Sequence, residues 1–228
     1  MVYHLIMPQR NSRKTYLEHG YYHIYNRGVE KRNIFDSEQD YKVFLTYLRE
    51  YLSPPILDTS SNDIHTNEKR YQIKCYTNVI QLGAYVLMPN HFHLLIRQEN
   101  IDAMQEFLQS LSTRYTVYFN KRYDRVGSLF QGRYKAVTVK TDEQLVHLSR
   151  YIHLNPIDLD KSVTSLEDFR YSSYPGYLGK RHQSWLNKNI VLDLFRGNAN
   201  RTPERFYRQF VEGEDNKQSE IIKHLIID

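Results

Sequence analysis

The pattern of apolar and polar residues in the first quarter of the chain predicts one strand followed by one helix. Residues 21–25 are an aromatic, β-prone run that ends in a turn signal at Asn26-Arg27-Gly28. Ser37 is a typical helix cap, and the apolar residues after it recur at helical spacing: Phe44, Leu45, Leu48 and Leu52. A Pro-Pro pair at 54–55 should end this helix, which has one buried face.

The next part of the chain predicts a surface insertion and then two paired strands. Residues 58–77 are polar and are typical of a surface insertion. Residues 79–88 are an apolar run rich in β-formers, and residues 91–97 form a second run after a turn at Pro89-Asn90. Because so short a connection joins antiparallel neighbours, these two strands should pair with each other.

Two more helices and one more strand complete the predicted core. Residues 101–122 carry apolar side chains in steps of three and four, which predicts a long amphipathic helix that Gly127 ends. A strand follows at 134–139. A last core helix, capped by Thr141 or Asp142, should run through Ile152 and stop at Pro156.

This order of elements predicts an α+β fold, in which an antiparallel sheet has its helices packed on one face. We divide the chain into a core domain at residues 15–157 and a helical extension at residues 158–228. The extension contains the single tryptophan, Trp185, and a charged terminal helix.

Composition narrows the classes of function. The chain has 228 residues, and 31 Lys plus Arg against 26 Asp plus Glu give a net charge of +5, which favours an anionic partner without requiring one. Its 20 tyrosines fit a protein that stacks on bases, and they fit half-buried structural positions equally. Cys75 is the single cysteine, which excludes an intrachain disulfide and a cysteine-based zinc site and favours a cytoplasmic setting. We expect no signal peptide, because the apolar run near the start is short and is stopped by Pro8. We expect no membrane span, because the longest apolar stretch, at 79–96, contains Pro89 and two histidines.

A pair of histidines, His91 and His93, stands on the second of the paired strands. Residues i and i+2 of a strand point to the same face, so both imidazoles should project together while Phe92 points into the core. Two adjacent imidazoles can bind a divalent cation if a third group converges on it. The tripeptide alone favours the plainer interpretation of two polar surface positions.

Tyr151 and Asn155 lie four residues apart on the last core helix and therefore share one face of it. A tyrosine hydroxyl, with an ordinary pKa near 10, becomes a useful nucleophile toward phosphate when a cation polarises the target. Helical position alone leaves Tyr115 and Tyr118 as rivals, although their spacing favours a core role. His147, one turn before Tyr151, is either a surface histidine or a neighbour of the phosphate.

These stretches together resemble the REP-associated tyrosine transposases, which belong to the HUH single-tyrosine superfamily with the small transposases of bacterial insertion sequences. The combination of Met-Pro-Asn-His-x-His with Tyr-x-x-x-Asn-Pro is the most specific part of the resemblance, which spans roughly residues 20–195. Phe130 stands where the family more usually has Trp, and the insertion at 58–77 is longer than usual. The matching stretches are residues 23–28, 84–95, 118–120, 127–135, 151–156 and 171–174.

The resemblance implies an RNA-recognition-like, ferredoxin-like HUH fold and a transposase activity. His91 and His93 would be the paired metal ligands, Asn155 the third ligand and Tyr151 the nucleophile. The expected reaction cuts and rejoins single-stranded DNA through a 5′-phosphotyrosine, with Mg²⁺ or Mn²⁺ as the metal. The expected partner is DNA with a REP-like hairpin, bound by a monomer or homodimer in the bacterial cytoplasm, with the nucleoid.

Basic residues interleaved with aromatic residues predict the DNA contacts, since cations suit the backbone and aromatic rings suit the bases. The candidates are Arg27, Lys121, Arg122, Arg125, Arg133 and Lys135. Two other functions stay open at this point. One is a hairpin-binding protein without chemistry, and the other is a metal-dependent hydrolase in which Tyr151 is structural.

Overall fold

A four-stranded antiparallel sheet forms the centre of the protein. The computed structural model describes residues 16–54, 74–159, 165–196, 202–213 and 218–226. The strands are β1 (Tyr21–Arg27), β2 (Ile80–Met88), β3 (His91–Gln98) and β4 (Lys135–Val139), in the order β2-β3-β1-β4. The predicted pairing of β2 with β3 is confirmed, and most of the predicted insertion at 58–77 lies outside the described residues.

Three long helices accompany the sheet: α1 (Glu38–Leu52), α2 (Ala103–Arg122) and α3 (Asp142–Leu159). Ser37 caps α1 through a reciprocal pair of hydrogen bonds with Asp40, as its sequence position predicts. The extension adds the shorter helices α4 (Tyr174–Tyr177), α5 (Asn189–Leu192), α6 (Pro203–Glu212) and α7 (Gln218–Ile222). None of the helices within the described ranges is long and apolar enough to cross a membrane.

The α+β fold class is confirmed, and the sheet is covered on both faces. The helices α1 and α2 share one face and pack there on Ile24, Phe92 and Leu94, but the prediction that all core helices lie on one face is wrong for α3. The helix α3 and the extension cover the opposite face, where they pack on Val86 and Leu95. The strand β2 explains this arrangement, because its residues are buried almost without interruption and so need a cover on each side.

The helix α3 runs past Pro156 to Leu159, so the predicted stop at this proline is wrong. A proline removes one backbone donor and crowds the preceding turn, but one lost hydrogen bond does not oblige a packed helix to end. In that turn, the side-chain amide of Asn155 donates to the carbonyl of Tyr151 at 2.9 Å. Ile152 is fully buried, which holds this part of α3 against the sheet.

Gly127 lies beyond the end of α2 rather than at its cap, since the helix already ends at Arg122. With φ at +89°, Gly127 has a backbone conformation that favours glycine, and its carbonyl accepts a hydrogen bond from the side chain of Asn120 at 2.8 Å. The loop between α2 and β4 then runs along the end of β1, where Gln131 donates to the carbonyl of Arg27 at 2.9 Å.

Candidate active site

The pairing of strands β1 and β3 places the histidine pair on the sheet face that α3 covers. His91 lies opposite Arg27 and His93 lies opposite Tyr25, and directly paired residues share a face. Lys135 on β4 also pairs with Tyr25, so it belongs to the same face. Phe92 is buried against α1 and α2 on the other face, as the period of the strand predicts.

The helix α3 brings Tyr151 and Asn155 to these histidines. The ring of Tyr151 meets the ring of His93 edge-on, with centroids 5.5 Å apart and planes at 84°. Asn155 is buried, with 8% of its surface exposed, and its side chain lies close enough to His91 to affect the pKa of that imidazole. The four residues that sequence reasoning selected for the reaction therefore lie together in one place.

The electrostatic setting keeps both imidazoles neutral at pH 7. Burial lowers the pKa of His91 to about 4, and the charge of Arg27 acts in the same direction, while the contact with Asn155 opposes it. Burial also lowers the pKa of His93 well below its ordinary value, with His23, His91 and Arg27 adding to the effect. A neutral imidazole carries a free lone pair, which is the form that can bind a metal.

His91 presents one particular nitrogen for such binding. Its Nδ1 donates to the side-chain oxygen of Asn90 at 2.6 Å, and a neutral imidazole has only one proton to donate. Nε2 is therefore the nitrogen of His91 that carries the lone pair. A hydrogen bond at the other ring nitrogen is the usual way in which proteins orient a metal-binding histidine.

The donor set of His91, His93 and Asn155 fits a divalent cation. Two neutral imidazoles and one amide oxygen are ligand types that such ions accept, and the set adds no negative charge of its own. Within the described ranges, no three His, Cys, Asp or Glu side chains are grouped so that they could hold a metal ion. The candidate set therefore includes an amide, that of Asn155, beside the two imidazoles.

His23 is a member of this site that sequence reasoning did not select. Its Nε2 lies 2.8 Å from Nδ1 of His93, and its ring meets the Tyr151 ring edge-on with centroids 6.0 Å apart. The signal was present in the sequence, since His23 precedes Tyr25 by two residues and so shares its face of β1. What the sequence does not disclose is that β1 lies beside β3.

The tyrosines that rivalled Tyr151 lie on the other side of the sheet. Tyr115 is fully buried, and its hydroxyl donates to the carbonyl of Ile34 at 2.5 Å. The hydroxyl of Tyr118 donates to Asp40 at 2.9 Å, at the start of α1. His147 on α3 packs edge-on against the ring of Phe210, with centroids 5.2 Å apart.

The six candidate DNA contacts fall into three pairs. Arg27 and Lys135 lie on the sheet face of the histidines, while Lys121 and Arg133 are exposed in or near the loop between α2 and β4. Two of the arginines already have partners, because Arg122 lies 3.5 Å from the carboxylate of Asp40 and Arg125 donates to Asn120 at 3.3 Å. Arg27 and Lys135 are thus the basic residues best placed beside the candidate site.

A family of known proteins matches the part of the chain that contains this candidate site. Residues 59–155 match the family model described as "Transposase IS200 like", a stretch that contains the histidine pair, Tyr151 and Asn155. No curated protein sequence matches the chain significantly.

The fold also resembles solved structures. A REP-associated tyrosine transposase bound to a REP hairpin superposes with a TM-score of 0.52 at 11% identity, over 78% of this chain and 98% of that one. A tRNA(His) guanylyltransferase from Saccharomyces cerevisiae covers 96% of this chain and 83% of its own length, with a TM-score of 0.39 and 9% identity, which is too low a likeness for any argument. The resemblance first drawn from the motifs is confirmed: this chain is similar in sequence to the IS200-like transposases and has the fold of a REP-associated tyrosine transposase.

Proposed function

We propose that this chain is a transposase that cuts and rejoins single-stranded DNA through a covalent bond between the DNA and Tyr151. The observation that carries the proposal is the convergence of Tyr151, His91, His93 and Asn155 from two separate elements, β3 and α3. A phenol, two neutral imidazoles and an amide oxygen together suit phosphoryl transfer.

The reaction is a transesterification at a DNA phosphate. The hydroxyl oxygen of Tyr151 attacks phosphorus, and the bond from phosphorus to the 3′ oxygen of the preceding nucleotide breaks. That oxygen leaves as a 3′-hydroxyl and gains a proton, while the phenol loses one. The downstream strand stays joined to Tyr151 through its 5′ phosphate, and a 3′-hydroxyl that attacks this bond restores the DNA without external energy.

His91, His93 and Asn155 would hold the metal that this reaction needs, with Mg²⁺ or Mn²⁺ as the ions that best suit phosphate oxygens. When bound, such an ion polarises the phosphate and stabilises the negative charge that develops on its oxygens. The chain itself orients the parts. The buried face of α3 fixes the position of Tyr151, and Asn90 fixes the ring of His91.

The proposed substrate is DNA with a hairpin, acted on in the bacterial cytoplasm. The related transposase of known structure is bound to a REP hairpin, and this chain has the same fold. Arg27 and Lys135 stand beside the site, where they can contact the phosphates on either side of the bond that is cut.

The test is covalent capture of a hairpin oligonucleotide labelled at its 3′ end, because that part of the strand is the one that stays on the protein. With Mn²⁺ present, wild type should give a labelled protein band that resists denaturation. Tyr151→Phe and His91→Ala should both nearly abolish this signal, because the first removes the nucleophile and the second removes a metal ligand. Tyr118→Phe is the matched control, since its hydroxyl lies on the far side of the sheet, and it should retain the signal.

The remaining outcomes separate the other two functions. Hairpin binding without an adduct under any metal, and unchanged by His91→Ala, would establish a binding protein and refute the proposal. Cleaved DNA with no bond to the protein would establish a hydrolase that uses water. That result would refute the role of Tyr151 as nucleophile and leave the metal site standing.

A further inference from the structure

Three groups in the site form a continuous line of hydrogen bonds. The carbonyl of Leu225, just after α7, lies 2.7 Å from Nδ1 of His23. The other nitrogen of His23, Nε2, lies 2.8 Å from Nδ1 of His93. The line therefore begins in the extension, passes through β1 and ends on one of the candidate metal ligands in β3.

The positions of the protons along this line follow from the chemistry of its first member. A carbonyl oxygen can only accept, so Nδ1 of His23 must be the donor. A neutral imidazole has one N–H, so Nε2 of His23 carries a lone pair and must accept from its neighbour. That neighbour is Nδ1 of His93, which therefore carries the proton, and Nε2 of His93 is left with the lone pair.

The surroundings of His23 favour this neutral form. His23 has no exposed surface, and its ring lies against the rings of Tyr25, His93 and Tyr151. A second proton would place a charge in this enclosure, and burying an uncompensated charge is costly.

We propose that His23 is a positioning residue, which holds His93 in the tautomer with its proton on Nδ1 and so presents Nε2 to the metal. The inference rests on the proposed function in one respect, namely that His93 is a metal ligand. Asn90 does for His91 what His23 does for His93, so both imidazoles offer the same nitrogen. The Leu225 carbonyl completes the arrangement, because without it nothing would dictate which nitrogen of His23 accepts.

The first experiment needs no metal. In full-length protein with ¹⁵N-labelled histidine at pH 7.5, long-range proton–nitrogen correlation spectra distinguish a protonated ring nitrogen from one with a lone pair. The signals of His93 are assigned by their loss in His93→Gln. Wild type should show His93 with its proton on Nδ1, whereas a proton on Nε2 would overturn the proposal.

Two variants of His23 separate positioning from a merely structural role. His23→Gln retains one donor for the Leu225 carbonyl and one acceptor for His93, while His23→Phe fills much of the same space without either. We expect His93 to keep its tautomer in His23→Gln and to lose it, as a mixture of both forms, in His23→Phe. An unchanged tautomer in a folded His23→Phe would refute the inference.

The second readout is the affinity for Mn²⁺ alone, measured by electron paramagnetic resonance. His23→Phe should bind Mn²⁺ about 10- to 100-fold more weakly, the usual effect of losing the partner of a metal-binding histidine, and His23→Gln should stay within about threefold of wild type. If His23→Phe does not fold, wild type and His23→Gln still decide the matter, since a loss of the tautomer in His23→Gln contradicts the account. A wild type with the expected tautomer that binds no Mn²⁺ would refute the proposed function and leave the hydrogen-bond assignment standing.

Discussion

Substitution of His153 tests how the helix that carries Tyr151 is held in place. His153 lies on α3, two residues after Tyr151, and is fully buried. Its Nε2 lies 2.7 Å from the hydroxyl of Ser173, and its Nδ1 lies 2.7 Å from the hydroxyl of Tyr207 on α6. His153 therefore ties α3 to the extension, and burial lowers its pKa to about 3.

This pKa shift makes the stability of the fold depend on pH in a definite direction. In the unfolded chain His153 takes up a proton near its ordinary pKa of about 6.5, whereas the folded protein resists protonation down to about 3. The contribution is complete above pH 6.5, is lost progressively below that pH, and is fully lost once the pH has fallen through the folded value. At pH 5, which is about 1.5 units below the ordinary pKa of 6.5, protonation of His153 stabilises the unfolded chain relative to the folded protein. The free energy of unfolding falls by about 2 kcal/mol as a result. The result barely depends on the folded pKa, because pH 5 lies well above it.

The assay is urea unfolding at pH 8 and pH 5, from which the free energy of unfolding is extrapolated at each pH. His153→Gln keeps hydrogen-bonding groups but cannot titrate, so wild type should lose about 2 kcal/mol more than this variant between the two pH values. His182→Gln is the matched control, since His182 is exposed, and it should lose as much as wild type. Equal losses in wild type and His153→Gln would refute the reasoning.

Two further predictions concern the metal and the DNA. Affinity for Mn²⁺ should change little between pH 8 and about pH 5 and should fall as the pH approaches 4, because protonation of His91, with its lowered pKa, removes a ligand. Titration calorimetry across this pH range measures the affinity. A fall in affinity centred near pH 6.5 would contradict the prediction. Lys135→Ala should weaken hairpin binding a few-fold and lower the salt dependence of binding by about one charge. Lys42→Ala, which changes an exposed residue of α1, should do neither. Hairpin binding at several salt concentrations measures both effects, and equal effects of the two substitutions would contradict the placement of Lys135.

The parts of the fold that the sequence predicted well depend on neighbouring residues. Ser37 and Asp40 lie three positions apart, so the start of α1 is legible from local pattern alone. The turn at Pro89-Asn90 has only two residues, and so short a connection joins neighbouring antiparallel strands, so the pairing of β2 with β3 also follows from local sequence. The shared face of His91 and His93 follows from the period of a strand, whatever the strand packs against.

The parts that it did not predict depend on contacts distant in sequence. The partner of His23 on β3 is 70 residues away and the Leu225 carbonyl is 202 residues away, and no local pattern records either contact. The covering of the second face of the sheet also depends on contacts distant in sequence. An apolar strand such as β2 indicates that both faces are buried, but it does not indicate which helix packs on which face. The continuation of α3 beyond Pro156 shows tertiary packing outweighing a local stop signal.

Mass spectrometry of the trapped adduct identifies the residue that carries the DNA. Wild type is incubated with hairpin DNA and Mn²⁺, the DNA is digested to a short stub, and the modified peptide is sequenced. We expect one modified residue, Tyr151, joined to the 5′ phosphate of a nucleotide. A stub on any other tyrosine, such as Tyr25 beside His93, or cleaved DNA with no modified peptide, would contradict it.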